Sequence, residues 1–174
     1  MAELILLRHG KSDWEAEPDG DDRRRPLARR GERSARRMGR FLVEAGHLPE
    51  LAVTSPARRA EDTLRIAQGA GGWEGEVRRS EALYTGGVPG LLEVVGAAPS
   101  EVGTLLVVSH EPTCSQAIAV LTGGCRLRFP TAAMACIELE DWPQAGRAGG
   151  SLAWFVVPRL WDGDHRHVGG AVGL

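Results

Sequence analysis

Three short segments carry side chains suited to one chemistry: Arg8-His9-Gly10, Ser55-Pro56-Ala57-Arg58-Arg59, and His110 with Glu111-Pro112 behind it. Two arginines and two histidines at one mouth would suit an oxyanion with several charges, and a phosphoryl group fits. A guanidinium donates to two oxygens at once and stays charged at working pH. A neutral imidazole can attack phosphorus, while a protonated one can stabilise the equatorial oxygens. Gly10 has no side chain to block the approach. The G-x-x-x-x-G-K-[ST] pattern of a nucleotide-binding loop is absent.

Such residues converge only if the fold brings their segments together. Glu3 to Arg8 (ELILLR) is a short apolar run, better suited to a buried strand than to a helix. Lys11 to Arg30 is polar, holds Pro18, Gly20 and Pro26, and reads as a loop. Gly31 to Ala45 has Ala35, Met38, Phe41, Leu42 and Ala45 at helical spacing, with Gly46 as C-cap and Pro49 beyond. Leu51 to Thr54 predicts a second strand, and Ser55-Pro56 opens a helix to about Ala70. Gly69 to Gly75 reads as a turn or loop, Glu76 to Arg79 as a short strand, and Val88 to Ala98 as a helix. Thr104 to Ser109 (TLLVVS) is the clearest buried strand, followed by a helix over Thr113 to Leu121 whose start near Pro112 places positive dipole close to His110. Ala133 to Leu139 and Leu152 to Val157 are closing strands, antiparallel neighbours in the simplest arrangement.

Alternation of strands and helices predicts a three-layer αβα sandwich with a mostly parallel, mixed sheet. All three chemical segments then fall at strand-to-helix junctions, where open α/β sheets bind ligands. One domain is expected over residues 1–158, with 159–174 as a polar, Gly-rich, loosely ordered tail.

The bulk properties agree with a small enzyme. The chain has 174 residues, 43% hydrophobic and 25% charged, with a net charge of −2. That balance gives no general drive toward nucleic acid. No apolar run reaches the roughly 18 residues needed to span a membrane, and no secretory leader pattern opens the chain, so the expected location is cytoplasmic. Cys114, Cys125 and Cys136 form no C-x-x-C pair and read as buried neutral thiols. The basic residues are arginines except for Lys11, and nine of them crowd residues 23–40. Most read as a solvated helix face, with a positive rim that attracts a phosphorylated partner as the functional alternative.

The motifs Leu6-Leu7-Arg8-His9-Gly10, Ser55-Pro56 with Arg59-Ala60 and Thr63, and Val107-Val108-Ser109-His110-Glu111-Pro112 resemble the histidine phosphatase superfamily, of phosphoglycerate-mutase-like fold. Lys11-Ser12-Asp13-Trp14, the Asp22 to Gly31 segment (DRRRPLARRG) and Glu81-Ala82-Leu83-Tyr84 resemble its bacterial SixA-like phosphohistidine phosphatase branch. The resemblance implies that His9 is the nucleophile and carries a transient phosphoryl group. It implies that Arg8 and Arg59 clamp the phosphoryl oxygens and that His110 completes the clamp. Arg58 is then peripheral, Glu81 is the candidate general acid, and Arg25 is a substrate contact. Ser12 belongs to the same substrate-binding set, and Trp14, close after His9, could wall the pocket. No metal or other cofactor is required, because the arginines supply the electrostatic stabilisation.

A phosphatase acting on protein phosphohistidine is therefore expected, with a phosphorylated protein as partner. A phosphomonoesterase for a small phosphorylated metabolite, or a phosphate-binding module without catalysis, are the alternatives. Imidazole is a better leaving group than an alkoxide, so a phosphohistidine substrate does not require Glu81. The Asp162, Asp164, His165 and His167 cluster reads as part of the tail rather than a metal site, and His47 as a surface residue.

Overall fold

The computed structural model describes residues 1–16, 20–147 and 149–161. A six-stranded sheet is built from β1 (Ala2–Arg8), β2 (Leu51–Thr54), β3 (Glu76–Arg79), β4 (Thr104–Ser109), β5 (Met134–Leu139) and β6 (Ser151–Val156). Their spatial order is β3-β2-β4-β1-β5-β6. The β3–β2, β2–β4 and β4–β1 pairs are parallel, and β1–β5 and β5–β6 are antiparallel.

β1 is sequestered because Leu4, Ile5, Leu6 and Leu7 are all fully buried. Strand side chains alternate between faces, and these four split accordingly. Leu4 and Leu6 join a core with Leu91, Val95, Ile118 and Leu121, which come from α4 (Gly87–Gly96) and α5 (Thr113–Leu121). Ile5 and Leu7 join Met38, Leu42, Leu64 and Ala67, from α1 (Arg29–Glu44) and α2 (Arg58–Gly71), on the other side. The result is the expected three-layer αβα sandwich. The edge strand β3 is exposed throughout and carries Glu76, Arg78 and Arg79, charges that discourage edge-to-edge pairing.

Several boundaries differ from the sequence expectation. α1 starts at Arg29 rather than Gly31, and α2 starts at Arg58, after Pro56, with Ala57 as N-cap. Gly69 to Gly71 continue α2, which ends at Gly72 in the left-handed conformation with φ +70°. Tertiary packing extends the helix there: Trp73 is buried in the core beneath α1 and α2. The loop after β1 contains a 3₁₀ turn at Asp22–Arg24 and a bridge between Ser12 and Leu27. A short helix α3 (Ala82–Thr85), absent from the sequence reading, precedes α4. It is a single turn, too short to show a periodic pattern.

Candidate active site

The strands β1, β2 and β4 end in register. Arg8 lies beside Ser109, and Thr54 beside Val108. The residues that follow, His9, Ser55 and His110, therefore emerge together at the carboxyl ends of these parallel strands. Among the described residues, the buried polar side chains are His9, Ser12, Arg25, Thr54, Ser55, Arg59, Thr63 and Ser109. All belong to these strand ends or to segments packed on them. Burial of polar groups is costly without partners, so their concentration at one end marks a built site.

His9 is anchored by its own neighbours. Its Nδ1 lies 2.7 Å from the Gly10 carbonyl oxygen, which can only accept, so Nδ1 carries the proton and Nε2 the lone pair. Gly10 N–H donates to Thr63 Oγ1 at 2.9 Å, and Thr63 donates to the Arg59 carbonyl at 2.6 Å. The requirement for glycine is steric: a Cβ on Gly10 would stand 2.8 Å from the Gly31 carbonyl oxygen, and one on Gly31 would fall on the Lys11 carbonyl. The start of α1 is thus pressed directly against the His9 loop.

Arg59 is 6% exposed, and it connects the site. Its Nε lies 3.4 Å from His9 Nε2, and its Nη2 lies 3.4 Å from His110 Nδ1. It also donates to the Asp22 carbonyl at 2.7 Å and to Asp22 Oδ2 at 2.9 Å. His110 Nε2 meets Ser55 Oγ at 2.7 Å, and the two imidazole rings are 5.1 Å apart. Arg8 donates to the Phe129 carbonyl at 2.7 Å, while its Nε is buried with no partner among the described residues. Arg58 points outward and pairs with Asp62 at 3.5 Å.

The electrostatics keep both imidazoles neutral. Burial pushes His9 from 6.5 down to about 3; the Gly10 hydrogen bond opposes this, and the protonated form of His110 and the charges of Arg59 and Arg8 add to it. Burial and then Arg59 lower His110 to about 4, against a small upward pull from Asp22.

Sequence reasoning left Asp22 without a role, although it lies in the Asp22 to Gly31 motif. Its carboxylate accepts from Arg25 at 2.6 Å, from Arg59 at 2.9 Å and from Tyr84 Oη at 3.1 Å. Burial alone would raise this carboxyl group, but the Arg25 hydrogen bond, the charge and hydrogen bond of Arg59, and Tyr84 outweigh it and hold it at about 2. Tyr84 also packs edge-on against His110, with ring centroids 5.8 Å apart. The spacing of charged partners around Asp22 spans three segments, which no local pattern reveals.

Arg25 is buried and held by Ser12 Oγ, by Asp22, and by the Trp14 ring 3.6 Å from its guanidinium carbon. Trp14 is 68% exposed. It therefore caps Arg25 from outside instead of walling the pocket directly. Glu81 is placed differently from a poised acid. Its side chain is 63% exposed and grips Arg23 through both oxygens, at 2.8 and 3.0 Å. Arg23 in turn lies over the Tyr84 ring at 4.6 Å.

The other candidates separate from the site. His47 is partly buried rather than a surface residue: Nδ1 meets Glu3 at 3.0 Å, and Nε2 accepts from Trp154 at 3.0 Å. Glu3, His47 and Cys136 come within ligand distance of one another. Both His47 nitrogens are already engaged, however, and burial pushes the Cys136 thiol up to about 12, so the group reads as a hydrogen-bonded cluster. The three cysteines are unpaired, with Cys114 and Cys136 buried and Cys125 only partly so. Asp162, Asp164, His165 and His167 lie outside the described residues. No helix among the described residues is long and apolar enough to cross a membrane.

Comparison with known proteins bears on the family and the fold. The sequence profile of the histidine phosphatase superfamily (branch 1) matches residues 4–84, which include Arg8, His9, Arg25 and Arg59. An uncharacterized protein of Mycobacterium leprae is 33% identical over 165 residues, 88% of this chain and 100% of its own. The structure of the protein histidine phosphatase SixA complexed with tungstate superposes with a TM-score of 0.80 at 26% identity, covering 91% of this chain and 98% of that one. A candidate phosphohistidine phosphatase SixA from Nakamurella multipartitia superposes at 0.75 with 29% identity, covering 90% and 96%. The structural likeness, over 90–91% of the chain, extends beyond residue 84, and the chain belongs to the histidine phosphatase superfamily.

Proposed function

We propose that the protein is a phosphatase that removes the phosphoryl group from a phosphohistidine side chain of a protein, through a covalent intermediate on His9. The observation that carries the substrate choice is the state of the carboxyl groups. Asp22 is held ionised between Arg25 and Arg59, and Glu81 is exposed and ion-paired with Arg23. Asp22 has no proton to give, and Glu81 is turned away to Arg23, so neither is placed to protonate an alkoxide. A phosphohistidine substrate needs no such acid at the reacting atom. Its ring can take a proton from solvent on the distal nitrogen and then leave as neutral imidazole.

The lone pair on His9 Nε2 attacks phosphorus, and the substrate P–N bond breaks with its electron pair returning to the leaving nitrogen. Arg8 and Arg59 bind the equatorial oxygens, with His110 beside them. The Gly10 carbonyl keeps the proton on His9 Nδ1, so the phosphorylated ring can itself leave as neutral imidazole. Water then attacks phosphorus, the bond to Nε2 breaks, inorganic phosphate departs and water's proton passes to solvent. A tetrahedral oxyanion bound by the SixA neighbour, tungstate, supports an anion seat in this fold.

The test compares a histidine-phosphorylated peptide with para-nitrophenyl phosphate and sugar phosphates, each with and without EDTA. Phosphohistidine should be hydrolysed fastest, EDTA should not matter, and His9→Ala should abolish turnover. Full activity in His9→Ala would overturn the mechanism, and preferential turnover of an ester would overturn the substrate assignment.

A further inference from the structure

Beside the catalytic strand ends lies a second concavity of about 530 Å³. It is walled by the start of α1, by the loop before β5 and by the stretch after β6. Arg30, Arg33 and Arg37 stand on the first wall, the last donating to the Pro158 carbonyl at 2.8 Å, with Arg128 on the second wall and Arg159 on the third; among the described residues no Asp or Glu lines it. The side chains of Arg30, Arg33, Arg128 and Arg159 are exposed and have no acidic partner among the described residues. Other surface arginines, among them Arg23, Arg58, Arg65, Arg78 and Arg79, are held by carboxylates. The floor is apolar, with Phe155 and Val157.

The cleft shares its walls with the site. Phe129, next to Arg128, takes the Arg8 hydrogen bond on its carbonyl and packs its ring on Phe155 at 5.4 Å. Arg30 precedes Gly31, the residue pressed against the loop of His9. A segment lying in this cleft would therefore rest against the residues that hold Arg8 and the His9 loop.

We infer that the cleft docks an acidic segment of the phosphoprotein substrate, its carboxylates on the arginines and its apolar side chains on the floor. This rests on the protein-phosphohistidine reading above. Charge complementarity identifies the occupant: four exposed guanidinium groups spread over three walls suit several carboxylates along a chain. A single small anion would need convergent buried donors, as the catalytic site provides. Complementary charge of this kind sets partner choice and encounter rate.

The probes are two fluorescent synthetic peptides with one histidine, flanked by glutamates and leucines in one and by glutamines and leucines in the other. Binding is measured by fluorescence anisotropy on the unphosphorylated peptides, and turnover after phosphorylation with phosphoramidate. The wild type should bind the glutamate peptide about tenfold more tightly, with a steep salt dependence, and R33E/R128E should erase that preference. The same variant should raise KM about tenfold for the phosphorylated glutamate peptide, leaving kcat and the hydrolysis of free phosphoramidate unchanged. Equal binding of both peptides by the wild type would overturn the inference. Binding that appears only in D162N/D164N would assign the cleft to the chain's own acidic segment and likewise overturn it. If the glutamate peptide binds as expected but no phosphohistidine is hydrolysed, the docking surface stands and the proposed reaction falls.

Discussion

Asp22→Asn isolates the electrostatic competition at the heart of the site. The Asp22 carboxylate engages Arg59 and Arg25, the same cationic groups that would receive phosphoryl oxygens. Its fall from 3.8 to about 2 corresponds to a preference of this environment for the ionised form of about 2.5 kcal/mol. The side chain is 44% exposed, and solvent screening reduces the usable part to about 1–2 kcal/mol. An incoming phosphate must overcome that preference. Asparagine keeps the shape but removes the charge, and Arg59 retains its bond to the Asp22 backbone carbonyl. Inorganic phosphate should therefore bind Asp22→Asn about 5- to 30-fold more tightly, measured by isothermal titration at pH 7. Turnover should fall at the same time, because Arg59 loses one of its anchors and product leaves more slowly. Phosphate affinity that is unchanged or weaker in the variant would refute the competition and leave Asp22 only to orient Arg59.

Further outcomes follow from the same geometry. Neither His9 nor His110 should titrate between pH 5 and 8 in nitrogen NMR spectra of the free protein, since their values lie near 3 and 4; a midpoint near 6.5 for either would contradict the burial argument. Because both folded values lie below the unfolded 6.5, the unfolded chain takes up protons first as pH falls. Stability should therefore decline from about pH 6.5 downward, until the folded values are passed, and Asp22 adds a further loss between 3.8 and about 2. H9N/H110N should show a shallower fall in Tm between pH 6.5 and 4. Gly31→Ala places a methyl group on the Lys11 backbone, and should destabilise the fold by about 1–3 kcal/mol and reduce kcat by displacing the His9 loop. Wild-type Tm and kcat in that variant would show the contact to be compliant. Glu81→Ala should leave phosphohistidine hydrolysis near the wild-type rate, whereas loss of about 10²–10⁴-fold would identify Glu81 as an acid catalyst after all.

The sheet and the ends of its central strands can be read along the chain. Runs such as Leu4 to Leu7 and Leu105 to Val108 are apolar on both faces, which only a strand covered by helices on both sides can satisfy. Arg8, His9 and His110 stood out because each closely follows such a run, and strand ends converge in this architecture; Arg59, inside α2, stood out only through the Ser55-Pro56-x-x-Arg59 pattern of the family the chain resembles. The tertiary structure decided the roles of the remaining polar groups. Whether a carboxylate is an acid, an anchor or a bystander depends on its partners in space, and those come from distant positions: Asp22 meets Tyr84, and Glu81 meets Arg23. Trp14 and Ser12 likewise act through Arg25, a relation fixed by how the loop folds back and not by their nearness to His9 in the chain. Backbone periodicity is a local property and can be read along the sequence, whereas electrostatic environment is set by groups that only the fold brings within a few ångströms.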